Sequence, residues 1–378
     1  MSPNASSNTS PSRSPRPSRI AGESEGVATG GCAALRNLCA ATDEAGCGRK
    51  KRALEAGALE ALVPALRSHA ESDAVQEQGC GALRNLCVGS DSAGVASRRA
   101  RAAGAGAIEA AVAAVARGAR RGVARGAEAL QLQALAALNN LAWEGADDAD
   151  DSARRGLAVG TGALEAVCSC LGAARGAAAV QENGCWALGT LCAGDGAEAA
   201  AARERAVAAG ALRAVVAALE AHRDETGVQH RGCLALQRVC DGDDDGAGPR
   251  AQAACAAGAA EAVVAALEAL GARSVAVADQ GCAALCSICF GDDAGVDARC
   301  ARVEAAGAVA VVVAAMCAHP SSGGVQGNGC AALANVCAGC ETASGKNLHF
   351  PRRNRDEGRF PVYIGWCYVR FYHPYLCR

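Results

Sequence analysis

Apolar and small residues recur along this chain at the three- and four-residue spacing of a helix that packs on one side. The clearest segment reads VQEQGCGALRNLC, from Val75 to Cys87. Seven versions of it occur, at intervals of 48, 55, 50, 48, 49 and 48 residues. They begin at Val27, Val75, Leu130, Val180, Val228, Val277 and Val325. A repeat of this period indicates a solenoid, in which each unit buries its apolar side against its neighbours.

Two more helical segments belong to each repeat. One reads AGALEALVPAL at Ala56–Leu66 and AGALRAVVAAL at Ala209–Leu219. Ahead of it lies a shorter stretch, such as KKRALEAG at Lys50–Gly57, which ends in Gly as helices commonly do. None of these segments shows the strict alternation of a strand. Each unit is therefore predicted to be a bundle of short helices.

These segments, in this order, resemble the unit of armadillo repeat proteins across roughly Val27 to Cys337. VQENGCWALGTLC at Val180–Cys192 resembles the third helix of that family, and AHPSSGGVQ at Ala318–Gln326 resembles its link between second and third helices. The resemblance implies an all-α, right-handed armadillo-type solenoid of three-helix repeats, over residues 23–340. The armadillo region of leucine-rich-repeat kinases is similar.

The two ends of the chain depart from the repeat. Residues 1–22 are rich in Ser, Pro and Arg and almost free of large apolar side chains, so we expect a disordered tail. Residues 341–378 hold eight of the eleven aromatic residues together with several arginines. This atypical tail is interpreted as a misread exon boundary, as a structural cap or, least favoured, as a nucleic-acid-binding face.

Composition narrows the class of function. The formal net charge is −2, which gives no long-range attraction to nucleic acid or to an anionic membrane. The longest apolar stretch, residues 308–318, is far shorter than the roughly 20 residues of a membrane span. We therefore expect a protein or peptide partner, and neither a membrane span nor nucleic-acid binding. The oligomeric state is left open.

Twelve of the 22 cysteines form pairs seven residues apart in the third helix, such as Cys80 and Cys87. Seven helical residues rise about 10 Å, whereas a disulfide needs Cα atoms within roughly 7 Å. Two thiolates on one zinc ion lie about 4.6 Å apart, so a shared metal does not fit either. The cysteines are interpreted as small buried hydrophobes. Free thiols without a secretory signal favour an intracellular location, cytoplasmic or nuclear.

No catalytic constellation occurs in the sequence. The stretch Asp241–Gly246 matches the opening of a calcium loop, but Gln252 stands where the bidentate Glu belongs, so a solvated loop is favoured. Acidic loops followed by bases such as Arg98, Arg203 and Arg205 are predicted to make surface ion pairs. We therefore expect a protein that is not an enzyme and has no cofactor and no metal.

The candidate site is the concave surface lined by third helices. If the family geometry holds, the residues two before the end of each copy form a ladder facing the groove, and an amide there can donate to and accept from an extended peptide backbone. These positions are Asn37, Asn85, Asn140, Thr190, Arg238, Ser287 and Asn335. Trp186 is predicted to be the large apolar anchor among them.

Nuclear-import receptors of the armadillo family pair such an Asn with a Trp one turn earlier. Here Trp186 faces Thr190, and no copy holds both residues, which argues against recognition of a nuclear signal. Two hypotheses remain. The favoured one is a scaffold or adaptor that binds a partner segment along the groove. The alternative is a regulatory solenoid that is part of a larger signalling enzyme, such as a leucine-rich-repeat kinase.

Overall fold

The computed structural model describes residues 24–143 and 150–338. Both predicted tails, residues 1–22 and 341–378, lie outside the described residues, as do both ends of the predicted 23–340 solenoid. Within the described ranges the fold is all-α and no strand forms. The α-helices are α1 Glu25–Leu38, α2 Glu44–Glu55, α3 Ala58–Ser68, α4 Asp73–Leu86, α5 Ser92–Gly104, α6 Ala107–Arg121, α7 Ala127–Ala142, α8 Asp150–Gly160, α9 Ala163–Ala173, α10 Ala178–Leu191, α11 Gly196–Ala208, α12 Ala211–Ala221, α13 Thr226–Cys240, α14 Ala247–Ala256, α15 Ala259–Ala266, α16 Val275–Ile288, α17 Val296–Ala305, α18 Ala308–Ala318 and α19 Gly323–Ala338.

Helices of the same sequence segment pack against one another along the chain. The third helices are α1, α4, α7, α10, α13, α16 and α19, and each contacts the next. The second helices are α3, α6, α9, α12, α15 and α18, and they form a second layer. The remaining helices, α2, α5, α8, α11, α14 and α17, are the first helices. The predicted all-α solenoid is confirmed, whereas its right-handed sense and its grouping into three-helix repeats stay predictions.

A glycine with positive φ joins each first helix to its second helix. Gly57, Gly106, Gly162, Gly210, Gly258 and Gly307 have φ between 85° and 93°. Residues with a Cβ rarely adopt this conformation, so glycine is required at these sharp links. The bend between α5 and α6 is 74°. Among the described residues, no single helix has the length and apolar composition of a membrane span, although four bent helix pairs meet both criteria when each pair is taken together.

A glutamine fastens five of the third helices to the end of the preceding second helix. The amide Nε2 of Gln181 donates to the carbonyls of Leu171 and Ala174, both at 2.9 Å. The same pair of bonds is made at Gln76, Gln131, Gln229 and Gln326. These amides satisfy carbonyls that the end of an α-helix leaves without an intrahelical partner.

The exception is the unit that contains α15, where Ala278 takes the place of the glutamine. Here α15 continues as a π-helical turn, Leu267–Gly271. Leu267 and Ser274 are seven residues apart, whereas the matching Leu66 and Ser72 are six apart. A π turn takes up one inserted residue because its hydrogen bonds span five positions. The 49-residue interval thus has a local structural cause.

Replacing Gln181 by Ala is expected to lower the free energy of unfolding by about 2 kcal/mol, because the buried carbonyl of Leu171 loses its donor and that of Ala174 keeps only the N–H of Ala177. Asn183 lies on the same helix, and its amide donates only to the exposed carbonyl of Ala179 in its own helix. Asn183→Ala is therefore the control, with an expected change within about 0.5 kcal/mol. Urea unfolding followed by circular dichroism measures both, and equal losses would contradict this role for the glutamine.

Each first helix also carries a buried cation at one position: Lys50, Arg98, Arg154, Arg203, Arg250 and Arg299. The Arg250 guanidinium donates to the carbonyl of Val239 at 3.1 Å, to that of Asp241 at 2.9 Å, and to both carboxylate oxygens of Asp244 at 2.7 Å. Arg98 does form the expected ion pair with the acidic loop, at Asp91, but its guanidinium is buried and not at the surface. The side chains of Arg98 and Arg203 reach inward and donate to carbonyls at the end of the preceding third helix. Arg205 forms an exposed ion pair, but with Glu165 on α9 and not with an acidic loop.

Candidate protein-binding surface

Three helices bring side chains together around Trp186 on α10. The ring centroid of Trp143, which follows α7, lies 5.4 Å from that of Trp186, with the planes at 76° in an edge-to-face arrangement. The guanidinium carbon of Arg231 on α13 lies 4.6 Å from the Trp186 ring centroid, a cation–π contact. Trp186, the predicted anchor, is therefore half-buried. The Arg231 guanidinium covers one face of its ring, and Trp143 contacts the ring edge-to-face.

Polar atoms near this indole have no partner. The Nε1 of Trp186 is buried without a hydrogen bond. On the neighbouring helix α7, Asn139 donates its amide to the carbonyl of Asn183 at 3.1 Å, while its Oδ1 is also buried and without a partner. Leaving such groups unpaired costs about 1–3 kcal/mol each, and proteins mostly avoid it. The surface around Trp186 thus retains hydrogen-bonding capacity that the fold does not use.

Burial shifts the charges beside Trp186. It lowers the pKa of the Arg231 guanidinium, against the opposing attraction of Glu182. Burial also lowers the pKa of His230, and the nearby Arg231 lowers it further. His230 is therefore uncharged at neutral pH, since the ordinary histidine pKa is already about 6.5. The positive charge of α13 at neutral pH consequently resides on its arginines.

Three of the four ladder asparagines bind the preceding third helix. The amide nitrogens of Asn85, Asn140 and Asn335 donate to main-chain carbonyls of residues 36, 84 and 286, at 2.8, 3.0 and 3.1 Å. Asn85 and Asn335 are buried, and Asn140 is half-buried. Asn37 lies on α1, before which no third helix is described, and it is exposed. One amide hydrogen of each bridging asparagine is thus used inside the solenoid, and the role of the ladder in peptide binding stays a prediction.

The other ladder positions differ in exposure. Thr190 is buried, whereas Arg238 and Ser287 are half-buried. Arg238 and Ser287 border one pocket of about 370 Å³ between α13 and α16. The structure therefore brings together two of the predicted site residues in a concave feature, one unit away from Trp186.

Comparison with known proteins informs the fold and not the function. No family model matches the chain, and no characterised protein matches it. The crystal structure of an engineered protein from the Northeast Structural Genomics Consortium is similar at a TM-score of 0.57 and 22% identity, over 75% of this chain and 97% of that one. At this identity the likeness shows a shared fold alone.

A second solved structure concerns a phosphorylation switch that controls the interaction between cadherin and β-catenin. Its TM-score is 0.42 at 15% identity, over 81% of this chain and 60% of that one. We draw no functional conclusion from so low a similarity.

Sequence reasoning places Arg231 in the patch around Trp186 but misses Trp143. Trp143 follows the repeated segment of its own copy, so it occupies no recurring position that could be aligned with Trp186. Arg231 occupies the fourth position of the next copy, where the other copies hold Gly, Gln or Asn. The stacking of this arginine on the tryptophan of the preceding copy was not predicted, although guanidinium groups stack readily on indole rings.

The cysteines of the third helices are buried thiols. Burial raises the pKa of Cys32 to about 11, and of Cys80, Cys185 and Cys233 to about 12. In the described ranges no group of three or more His, Cys, Asp or Glu side chains could hold a metal ion. The sequence also contains three closely spaced cysteine pairs that are weak candidates for metal ligands. Cys168 with Cys170 and Cys286 with Cys289 belong to no such group, whereas Cys340, the partner of Cys337 in the third pair, lies outside the described residues.

Alkylation of the native protein is expected to modify Cys317 first among the described cysteines, since its side chain is exposed. The buried thiols should react only after unfolding, because burial hinders both access and ionisation. Peptide mass mapping after a short iodoacetamide pulse at pH 8 measures this order. A chelator should leave helicity unchanged, and helix loss on chelation would instead indicate a structural metal.

The acidic loop at Asp241–Gly246 uses its oxygens within the fold. Asp244 binds Arg250 with both carboxylate oxygens and accepts the main-chain N–H of Gly246 at 3.0 Å. Hydrogen bonding to Arg250 holds the pKa of Asp244 at about 2. The carboxylate that a calcium loop would need at its centre is thus already neutralised by a buried arginine.

Proposed function

We propose that this protein is a non-catalytic interaction scaffold of the armadillo type, which binds an extended segment of a partner protein along the surface formed by its third helices. The all-α solenoid and the repeated sequence segments support this class. We extend the proposal to a reducing, intracellular compartment, because core cysteines such as Cys80, Cys185 and Cys233 are free thiols.

The observation that carries the proposal is the cluster of Trp186, Trp143 and Arg231. It presents a large rigid ring, a cation and an unpartnered N–H at the junction of three third helices. Aromatic residues and arginine dominate the binding energy of protein interfaces. A solenoid core built mainly from Ala, Cys, Leu and Val does not need two tryptophans and an arginine at its surface.

Selection of extended peptides from a random displayed library on the immobilised full chain tests this proposal. Hydrogen exchange then locates the bound peptide. Protection on α10 and α13, together with a change in tryptophan fluorescence, is the expected result. If no peptide is enriched above background, or if the protection lies on the second helices, this binding surface is wrong.

A further inference from the structure

A pocket lies beside the Trp186 cluster, between α13 and α16, and its volume is about 370 Å³. Polar side chains dominate its lining. They include Gln237 and Arg238 from α13, Gln280 and Ser287 from α16, and Asn328 from α19. The pocket therefore belongs to the third-helix surface, and its lining comes from the third helices of three consecutive units.

Arg238 differs from the other arginines of the third helices. Arg36 donates to Gln78 at 3.1 Å and pairs with Glu77, and Arg84 donates to the Oδ1 of Asn85 at 3.1 and 3.2 Å. Arg231 stacks on Trp186. The guanidinium of Arg238 has no hydrogen-bond or ion-pair partner among the residues that the structure describes. A half-buried arginine in a pocket thus retains all five of its donors.

An acceptor accompanies these donors. The Oε1 of Gln280 is buried and has no hydrogen-bond partner, while its Nε2 donates to Asp279 at 3.3 Å. Ser287 adds a hydroxyl on the same helix. The pocket accordingly offers donors for an anion and an acceptor for an N–H group. A polypeptide supplies both, an acidic side chain and a main-chain N–H, whereas a free inorganic anion supplies only the first.

One carboxylate already borders the pocket among the described residues, that of Asp241. Its Oδ1 accepts the main-chain N–H of Gly242 at 3.0 Å, and its main-chain carbonyl accepts from Arg250. Asp241 is therefore held by the loop that follows α13. The guanidinium of Arg238 stays available for an incoming group.

We propose that the pocket between α13 and α16 binds an Asp or Glu side chain of the partner segment through the guanidinium of Arg238. This inference rests on the proposed scaffold function and specifies its partner. A single arginine matches a carboxylate, which it can bind with two parallel hydrogen bonds. Phosphorylated side chains are bound by clusters of arginines, and the pocket lining holds one arginine. The Gln280 Oε1 accepts a main-chain N–H of the same segment.

Repeating the library selection on the wild type, on Arg238→Gln and on Arg238→Glu tests the inference. The wild type should enrich Asp or Glu at one position of the selected peptides. Arg238→Gln should lose that enrichment, and Arg238→Glu should replace it by Lys or Arg. Arg84→Gln is the matched control, because Asn85 already occupies that guanidinium, and it should keep the wild-type preference.

Titration with synthetic peptides measures how much the acidic side chain contributes to the affinity. Changing the enriched acidic residue to Ala should weaken binding to the wild type roughly 10-fold or more, as expected for a charge-assisted hydrogen bond. The same change should have no effect on Arg238→Gln. Because the Arg238 side chain makes no hydrogen bond in the fold, the melting temperature of this variant should equal that of the wild type.

Three results would overturn the carboxylate assignment while leaving the scaffold function intact. They are enriched peptides without an acidic preference, a preference that survives in Arg238→Gln, and binding that requires phosphoserine where Glu fails. The absence of any enriched peptide would instead contradict the scaffold function itself.

Discussion

Replacing Arg250 by Met is expected to lower the free energy of unfolding by about 3 kcal/mol. The substitution keeps most of the apolar stem and removes the guanidinium. The carbonyls of Val239 and Asp241 would then lose the guanidinium as donor, and the carboxylate of Asp244 would keep only the main-chain N–H of Gly246. Breaking a buried ion pair by removing one partner is costly because the remaining polar groups stay dehydrated. Arg250 is 2% exposed.

The matched control is Arg205→Met, which removes an arginine from an exposed ion pair. Arg205 and Glu165 are joined at 2.7 Å, and their side chains are 40% and 48% exposed. Such pairs contribute between 0 and about 1 kcal/mol. Urea denaturation by circular dichroism compares the two variants. Equal stability losses would show that the buried arginine has no special role at the unit junction.

Lowering the pH should reduce the difference in the free energy of unfolding between the wild type and Arg250→Met. The pKa of Asp244 is about 2 in the folded protein, below the ordinary value of 3.8. Because folding lowers this pKa, the ionised Asp244 stabilises the fold at any pH above the unfolded pKa of 3.8. The stabilisation is lost as pH falls from 3.8 through 2. The variant lacks this contribution at every pH. Its deficit should therefore shrink between pH 4 and pH 2, and a constant deficit would exclude the carboxylate as its source.

Replacing Trp186 by Ala is expected to weaken the binding of a selected peptide by roughly 2 kcal/mol or more, the effect of removing a dominant interface residue. The change removes the ring on which Arg231 stacks and the edge contact with Trp143. Fluorescence titration or calorimetry measures the affinity, and circular dichroism checks the helicity. Unchanged affinity with intact helicity would place the binding site elsewhere on the molecule.

Three further variants serve as controls for Trp186→Ala. Trp186→Phe keeps an aromatic face for Arg231 but lacks the indole N–H, so it should lose less affinity. Asn85→Ala and Asn140→Ala should cost about 1 kcal/mol each, the value of one hydrogen bond. Part of that cost should appear as reduced stability, since both amides bind the preceding helix.

The helical units could be predicted because the apolar spacing and the repeat period both follow from the requirement to bury one side of each helix. The junctions between units could not. Arg250 appears in the sequence as an ordinary charged residue after an acidic loop, and only the fold shows that two helix-end carbonyls lie next to it. Contacts between different repeats depend on geometry that the pattern within one repeat does not encode.

For the candidate site, too, individual residues could be predicted from the sequence, whereas their contacts with other repeats could not. Trp186 could be recognised as an exceptional residue, but its contacts with Trp143 and Arg231 join three different copies of the repeat. The asparagine positions were correctly recognised as recurring, yet their amides already donate to neighbouring helices. The π turn at Leu267–Gly271 had a visible signal in the one-residue lengthening of its interval.

The buried arginines also determine where this chain can be shortened. Each one is encoded at the start of a unit but binds the carbonyls at the end of the unit before it. A truncated protein that stops after a third helix, as the sequence repeat suggests, would expose that helix end without its guanidinium. Fragments for crystallisation or binding studies should therefore stop one helix later, so that the last complete unit keeps the cation supplied by its successor.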